Sequence, residues 1–90
     1  MKLTSKGRFA VMSLVDIAIN SVANKPVSLS DISSRQNISL PFLEQIFISL
    51  KKSGIVKSVR GPSGGYTFAK KPDFIKIYDV IKAIDEDLKI

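Results

Sequence analysis

Two short segments of the sequence carry residue types suited to nucleic-acid contact. One holds Glu44 and Gln45; Glu can accept a hydrogen bond from cytosine N4, and Gln can pair with adenine. The other is Arg60 followed by the loop Gly61–Gly65. Glycines let a hairpin tip approach a phosphate backbone or enter a minor groove, and Arg suits either task. The simpler interpretations are a solvated helix surface and an ordinary tight turn.

Other chemistries find little support in the sequence. It has no Cys and no His, so ligands for zinc or an iron–sulfur cluster, a thiol nucleophile and a His base are missing. The loop at Gly61–Gly65 lacks the Gly-Lys-Ser/Thr ending of a nucleotide phosphate loop and precedes a strand instead of a helix. Asp85, Glu86 and Asp87 are adjacent, so on a helix they do not face one point. We expect no enzyme and no metal site.

The charge of the chain points to a polyanionic partner. The net charge is +6 and the sequence pI is about 9.8. Residues 51–76 alone hold seven Lys or Arg and one Asp, which predicts the contact with nucleic acid there. The apolar stretch 9–19 is interrupted by Ser13 and Asp16 and is too short to cross a bilayer. We therefore expect a cytoplasmic protein without a membrane role.

Periodicity predicts a first helix over residues 5–23. Its apolar residues recur at three- and four-residue spacing, and they are Val11, Leu14, Val15, Ala18, Ile19 and Val22. Further apolar residues extend around the helix, which indicates burial on most sides. The helix is thus either a plain core helix or one that also packs against a partner.

Two short helices and a hairpin are predicted next. Ser28 to Asp31 has the form of an N-cap and opens a helix to about Asn37. Ser39 is expected to cap a third helix, which ends at Ser53 before a left-handed Gly54. Strand-like runs on both sides of the loop Gly61–Gly65 predict a β-hairpin. A last helix is predicted over residues 77–88. The fold class is mainly α with a small β-hairpin: a winged helix-turn-helix.

The candidate contact residues form two groups. The first residues of the second helix of a helix-turn-helix meet base edges. Base-contact candidates are Ser39, Pro41, Phe42, Glu44, Gln45 and Arg60, with Ser49 as a further position. Cations and free N–H groups bind phosphates, and the candidates are Lys2, Thr4, Ser5, Lys6, Arg8, Lys51, Lys52, Ser63 and Gly64. The aromatic residues Tyr66, Phe74 and Tyr78 are expected to pack in the core and hairpin.

Four segments resemble the IscR-like family of bacterial transcriptional regulators, which includes the NsrR and CymR types. They are Met1–Val11, Leu29–Ser33, Ile38–Phe47 and Val59–Tyr66. The resemblance covers essentially the whole sequence, and cap, recognition helix and hairpin match in order. It implies a homodimeric regulator that binds double-stranded promoter DNA. Within it, Ser39, Glu44 and Gln45 face bases and Arg60 acts from the hairpin.

The resemblance also implies parts that this sequence lacks. Iron–sulfur members continue into a loop with three cysteines that hold a [2Fe–2S] cluster, and then into a dimerisation helix. We therefore expect residues 1–90 to be the winged-helix domain of a longer protein, with no cofactor of its own and a [2Fe–2S] cluster possible through cysteines beyond residue 90. The pair Glu44-Gln45 and the opening segment favour the iron–sulfur type over the CymR type, and hence control of iron–sulfur or related stress-response genes. A protein-interaction or RNA-binding module is the alternative.

Overall fold

The first helix, α1, begins where a local cap predicts it and ends earlier than expected. A computed structural model describes residues 4–21, 23, 25–72 and 75–88, and of 85–88 the backbone alone. α1 spans Ser5–Asn20, and its N-cap Thr4 accepts a hydrogen bond from the Gly7 N–H at 3.0 Å. The predicted extension to residue 23 is wrong, since the chain leaves the helix at Ser21 and turns through a positive φ of 53° at Ala23.

The predicted buried face of α1 is also partly wrong. Ala10 and Ile17 are fully buried, whereas Val15 is 50% exposed and Ile19 is 73% exposed. Because apolar residues surround this helix, its spacing fits more than one face. The face that packs inward is the one that carries Gly7, Ala10, Ser13, Leu14, Asp16 and Ile17, where small residues allow close approach and Asp16 reaches partners on the next helix.

The predicted helix-turn-helix is present. Helix α2 spans Leu29–Gln36, with Ser28 as N-cap and Asn37 in the left-handed region at φ 55°. Helix α3 spans Leu40–Lys52 after its N-cap Ser39. The Ser39 side chain makes no cap hydrogen bond, so this cap differs from the Ser28 cap that it was expected to repeat. Gly54 follows α3 with the expected positive φ of 76°.

The hairpin, or wing, consists of β1 (Val56–Val59) and β2 (Gly65–Phe68). The strands are antiparallel and pair from Val56 opposite Phe68 to Val59 opposite Gly65. The segment before α2 adds one bridge, between Val27 and Tyr66. At Gly65 a Cβ would lie 2.3 Å from the Val27 carbonyl oxygen, so only glycine permits this close approach.

The last helix, α4, spans Ile77–Leu88 and closes one core over α1 and α3. Its Val80, Ala83 and Ile84 are buried. The other buried hydrophobic residues are Ala10, Leu14, Ile17, Val27, Ile32, Ile38, Leu43, Ile46, Phe47, Leu50, Ile55 and Val56. In the part of the chain that the structure describes, no helix is long and apolar enough to cross a membrane.

Candidate nucleic-acid interface

Helix α3 has one buried and one exposed face. Leu43, Ile46 and Phe47 are fully buried, and this three- and four-residue spacing turns Glu44 and Gln45 outward, where both are exposed. The spacing of the apolar residues therefore predicted the orientation of the helix correctly. Two hydrogen-bonding side chains are displayed side by side on a rigid helix.

Fewer of the candidate base-contact residues of α3 are exposed than the sequence predicted. Ser39 and Pro41 are exposed, while Phe42 is half-buried and its ring meets Phe9 edge-on with 5.7 Å between ring centroids. Ser49 is 3% exposed, and its hydroxyl donates to the Gln45 carbonyl oxygen at 3.5 Å. Ser49 as a base-contact candidate is thus wrong, because it lies on the packed side of the helix.

The tip of the wing brings Arg60 and the glycine loop together. Arg60 is exposed directly after β1. The Gly64 N–H donates to the Gly61 carbonyl oxygen at 2.9 Å, and a Cβ at Gly64 would lie 2.3 Å from the Val59 carbonyl oxygen. Glycine is therefore needed at position 64 for the turn itself, whatever approaches it. Ser63 is exposed beside them, and Gly64 is half-buried.

The wing and the helix-turn-helix form one rigid unit. Val27 and Tyr66 exchange backbone hydrogen bonds of 2.9 and 2.8 Å, and the Tyr66 ring lies 4.9 Å from that of Phe47. The Lys51 ammonium donates to the Ser58 hydroxyl at 2.9 Å. Contacts on both sides of the hairpin thus fix the position of the wing relative to α3.

The phosphate candidates lie on three separate elements. At the start of α1, Ser5 and Arg8 are exposed, Lys6 is half-buried and Thr4 is the N-cap. Lys51 and Lys52 are exposed at the end of α3, and Ser63 and Gly64 belong to the wing tip. Lys2 lies outside the described residues.

The remaining candidates give a mixed outcome. Packing of Tyr66 is confirmed, but Tyr78 is 66% exposed, so its predicted core role is wrong. Its place on the outer side of α4 explains this. Phe74 and the side chains of 85–87 lie outside the described residues. No group of three or more metal-ligating side chains occurs among the residues that the structure describes.

Sequence reasoning missed a buried ionic network behind the helix-turn-helix. The Asp16 side chain is 1% exposed and pairs with the 39% exposed Arg35 through Nη2–Oδ1 at 2.7 Å. Arg35 Nε donates to Oδ2 at 3.1 Å, and Gln36 Nε2 donates to the same oxygen at 2.9 Å. Since a charge within an apolar helix needs a partner, the isolated Asp16 in the stretch 9–19 was the signal that could have revealed it.

This network changes the titration of Asp16. Hydrogen bonds from Arg35 above all, and from Gln36 and Asn20, hold the pKa of the Asp16 carboxyl below its ordinary value, while burial acts in the opposite direction. Asp16 is therefore a carboxylate at neutral pH. It anchors α2 to α1 and is not a contact residue.

The fold defines the class of protein: a helix-turn-helix followed by a two-stranded wing is a winged helix. Its second helix exposes the polar residues Glu44 and Gln45, and the wing beside it exposes Arg60. The model of one family, "Rrf2: Iron-dependent Transcriptional regulator", matches residues 3–90. The chain belongs to the Rrf2 family of transcriptional regulators, which confirms the resemblance seen in the sequence.

Individual relatives agree with the family. The HTH-type transcriptional regulator IscR of Escherichia coli is 54% identical over 88 residues, which are 98% of this chain and 54% of that protein. The solved structure of T. potens IscR has a TM-score of 0.86 at 42% identity, covering 100% of this chain and 65% of the other. For CymR of B. subtilis the TM-score is 0.87 at 34% identity, over 94% and 65%. The chain spans about half the length of its curated relatives, which are named as regulators and not as enzymes.

Proposed function

We propose that residues 1–90 form the winged helix-turn-helix DNA-binding domain of a bacterial transcriptional regulator that binds double-stranded promoter DNA in the cytoplasm. The observation that carries this proposal is the exposed pair Glu44 and Gln45 on α3, next to a wing that carries the exposed Arg60 and is joined to the helix-turn-helix by backbone hydrogen bonds between Val27 and Tyr66. A major groove admits one α-helix, and a wing joined rigidly to that helix reaches the neighbouring backbone or groove.

The proposal gives each group of residues one task. Base edges are contacted by Ser39, Pro41, Phe42, Glu44, Gln45 and Arg60. Phosphates are contacted by Lys2, Thr4, Ser5, Lys6, Arg8, Lys51, Lys52, Ser63 and Gly64. Phosphate contacts supply most of the affinity and its dependence on salt, whereas base contacts supply the choice of sequence.

The first experiment measures binding of the 90-residue chain to a random-sequence duplex by fluorescence anisotropy. If the five Lys and Arg side chains of the proposed phosphate contacts each neutralise one phosphate, affinity falls about five hundredfold between roughly 50 and 200 mM salt. A folded chain that does not bind at the lower salt contradicts the proposal. Competition with RNA then tests the alternative of an RNA-binding or protein-interaction module.

Two substitutions separate the tasks of the wing and the helix. Arg60→Ala weakens binding by about 1–3 kcal/mol. Glu44→Ala instead relaxes the preference among bases, because a carboxylate beside DNA repels phosphates and rejects mismatched bases. The control Lys82→Ala removes the same charge as Arg60→Ala from the exposed side of α4 and leaves affinity nearly unchanged. Equal losses on every sequence for both Arg60→Ala and Glu44→Ala contradict the assignment.

We further propose that the full-length regulator is a homodimer. Support comes from α1, whose Met12, Val15 and Ile19 are 41%, 50% and 73% exposed and, at three- and four-residue spacing, lie on one face of the helix. Burial of these side chains against a second copy removes apolar area from water. Sedimentation of the full-length protein and its Val15→Glu variant tests this: the variant shifts towards monomer, and a monomeric parent contradicts the proposal.

The signal sensed by the regulator is the last part of the proposal. The family description calls these regulators iron-dependent, and we propose control of iron–sulfur or related stress-response genes. The 90 residues contain no Cys and no His, so they do not fit a thiolate-bound [2Fe–2S] cluster. A cluster in the full-length protein needs cysteines beyond residue 90.

A further inference from the structure

Ile48 is an exposed apolar side chain in the middle of α3. Its exposed fraction is 63%, whereas the adjacent Phe47 and Ser49 are 0% and 3% exposed. Neither the core nor the helix requires isoleucine here, because an exposed side chain buries little area and Ile is a weaker helix former than Ala or Leu. The Ile48 side chain is therefore mostly exposed to solvent and contributes little to the packing of the fold.

The position of Ile48 places it on the same face as the two polar residues proposed to contact bases. It follows Glu44 by four residues and Gln45 by three, and residues at these spacings are neighbours on a helix surface. One helical turn advances about 5.4 Å, and base pairs are about 3.4 Å apart. A side chain one turn further along therefore lies about one to two base pairs away.

The chemistry of the side chain selects its partner. Isoleucine has no donor or acceptor, so it cannot bind a phosphate or the polar edge of a base. The apolar group that base edges display in the major groove is the C5-methyl group of thymine. We propose that Ile48 packs against a thymine methyl group and is a specificity-determining residue. This inference rests on the proposed DNA-binding function of α3.

The test compares thymine with uracil, which lacks only that methyl group. The 90-residue chain first selects its preferred duplex from a random pool, and each dT of that duplex is then replaced singly by dU. The expected result is a loss of about fourfold in affinity at one or two positions, the effect of exposing one buried methyl group. These positions lie about one to two base pairs from the one at which Glu44→Ala relaxes selectivity.

Substitution assigns the effect to the residue. With Ile48→Ala, the dT and dU duplexes bind equally at those positions. Ile77 on α4 is similarly exposed at 59%, and the matched control Ile77→Ala keeps the fourfold difference. Duplex binding without any effect of dU, or with the same effect in Ile48→Ala, overturns the role of Ile48 alone. Absence of duplex binding by the folded parent chain overturns the proposed function as well.

Discussion

The two helices of the helix-turn-helix are held by different forces. Helix α2 buries a single residue, Ile32, and polar contacts fix both its ends: Ser28 accepts the Asp31 N–H, and Arg35 donates to Asp16. Helix α3 is held by packing, with Leu43, Ile46, Phe47 and Leu50 fully buried. The Arg35 and Gln36 side chains of α2 are thus bound to Asp16 inside the protein, whereas Glu44 and Gln45 of α3 are exposed on its outer face.

This difference between the two helices is compatible with the proposed contact between α3 and DNA. Within the described part of the chain, the Glu44 and Gln45 side chains make no hydrogen bond, so DNA contact would exchange water for base edges without breaking a protein contact. A recognition helix fixed through its polar side chains would lose those bonds on binding. Apolar packing therefore holds α3 in place and leaves exposed the face that is proposed to contact DNA.

The largest effect is expected at the packed side of α3. Phe47→Ala removes a fully buried ring that contacts Tyr66 and costs about 3–5 kcal/mol of unfolding free energy, measured by urea denaturation. Phe42→Ala, at the half-buried edge of the same helix, costs less. If the two losses were equal, packing would not be concentrated on the inner face, and the contrast with α2 would fail.

An intermediate effect is expected where α2 is anchored by charge. Asp16→Asn keeps the shape but removes the carboxylate that Arg35 and Gln36 bind, and we expect a loss of about 1–3 kcal/mol at neutral pH. Urea denaturation measures it. Glu44→Gln makes the same chemical change at an exposed site and stays within about 0.5 kcal/mol.

The pH dependence of that difference sharpens the comparison. The pKa of Asp16 is lower in the folded protein than its ordinary value of 3.8, so the unfolded chain takes up the proton first as pH falls. The stability contributed by Asp16 is complete above the ordinary value and is lost as pH falls through the lower folded value. The parent and Asp16→Asn therefore converge in acid, and a gap that persists at pH well below 3.8 would show that charge is not its cause.

The same contrast explains what the sequence could predict. Elements defined by local signals were predicted well: Ser28 caps a helix, and Gly54 takes a left-handed conformation. The buried face of α1 was not, because apolar residues surround that helix and the choice depends on long-range contacts. The partners of Asp16 lie 19 and 20 positions away, which no local pattern reveals.

The residues of the candidate site were also predicted only in part from the sequence. Exposure of Glu44 and Gln45 follows from the spacing of their apolar neighbours, so it was predictable. Ser49 was a wrong base-contact candidate, because it follows the buried Ile46 by three residues and so lies on the packed side of α3. Ile48 was not among the candidates because it is apolar, although its position on the helix is exposed. At Ser49 and Ile48 the polarity of the side chain predicts one degree of burial and the position on the helix predicts the other. The observed burial follows the position on the helix.

The smallest effect separates the two serine caps. Ser28 accepts the Asp31 N–H at 3.1 Å, so Ser28→Ala costs about 1 kcal/mol of stability. Ser39 occupies the same position before α3 without a side-chain cap bond, and Ser39→Ala changes stability by less than about 0.5 kcal/mol. Urea denaturation of the two variants measures this difference.

The DNA affinities should rank in the opposite order. Ser39 is exposed and its side chain makes no cap hydrogen bond, so Ser39→Ala should weaken binding to the preferred duplex while the fold is retained. Ser28→Ala, whose hydroxyl already serves α2, should change affinity less than Ser39→Ala under conditions where both variants are folded. A Ser39→Ala variant that loses stability but keeps its affinity would make Ser39 a structural cap like Ser28, and the proposed DNA contact of Ser39 would fail.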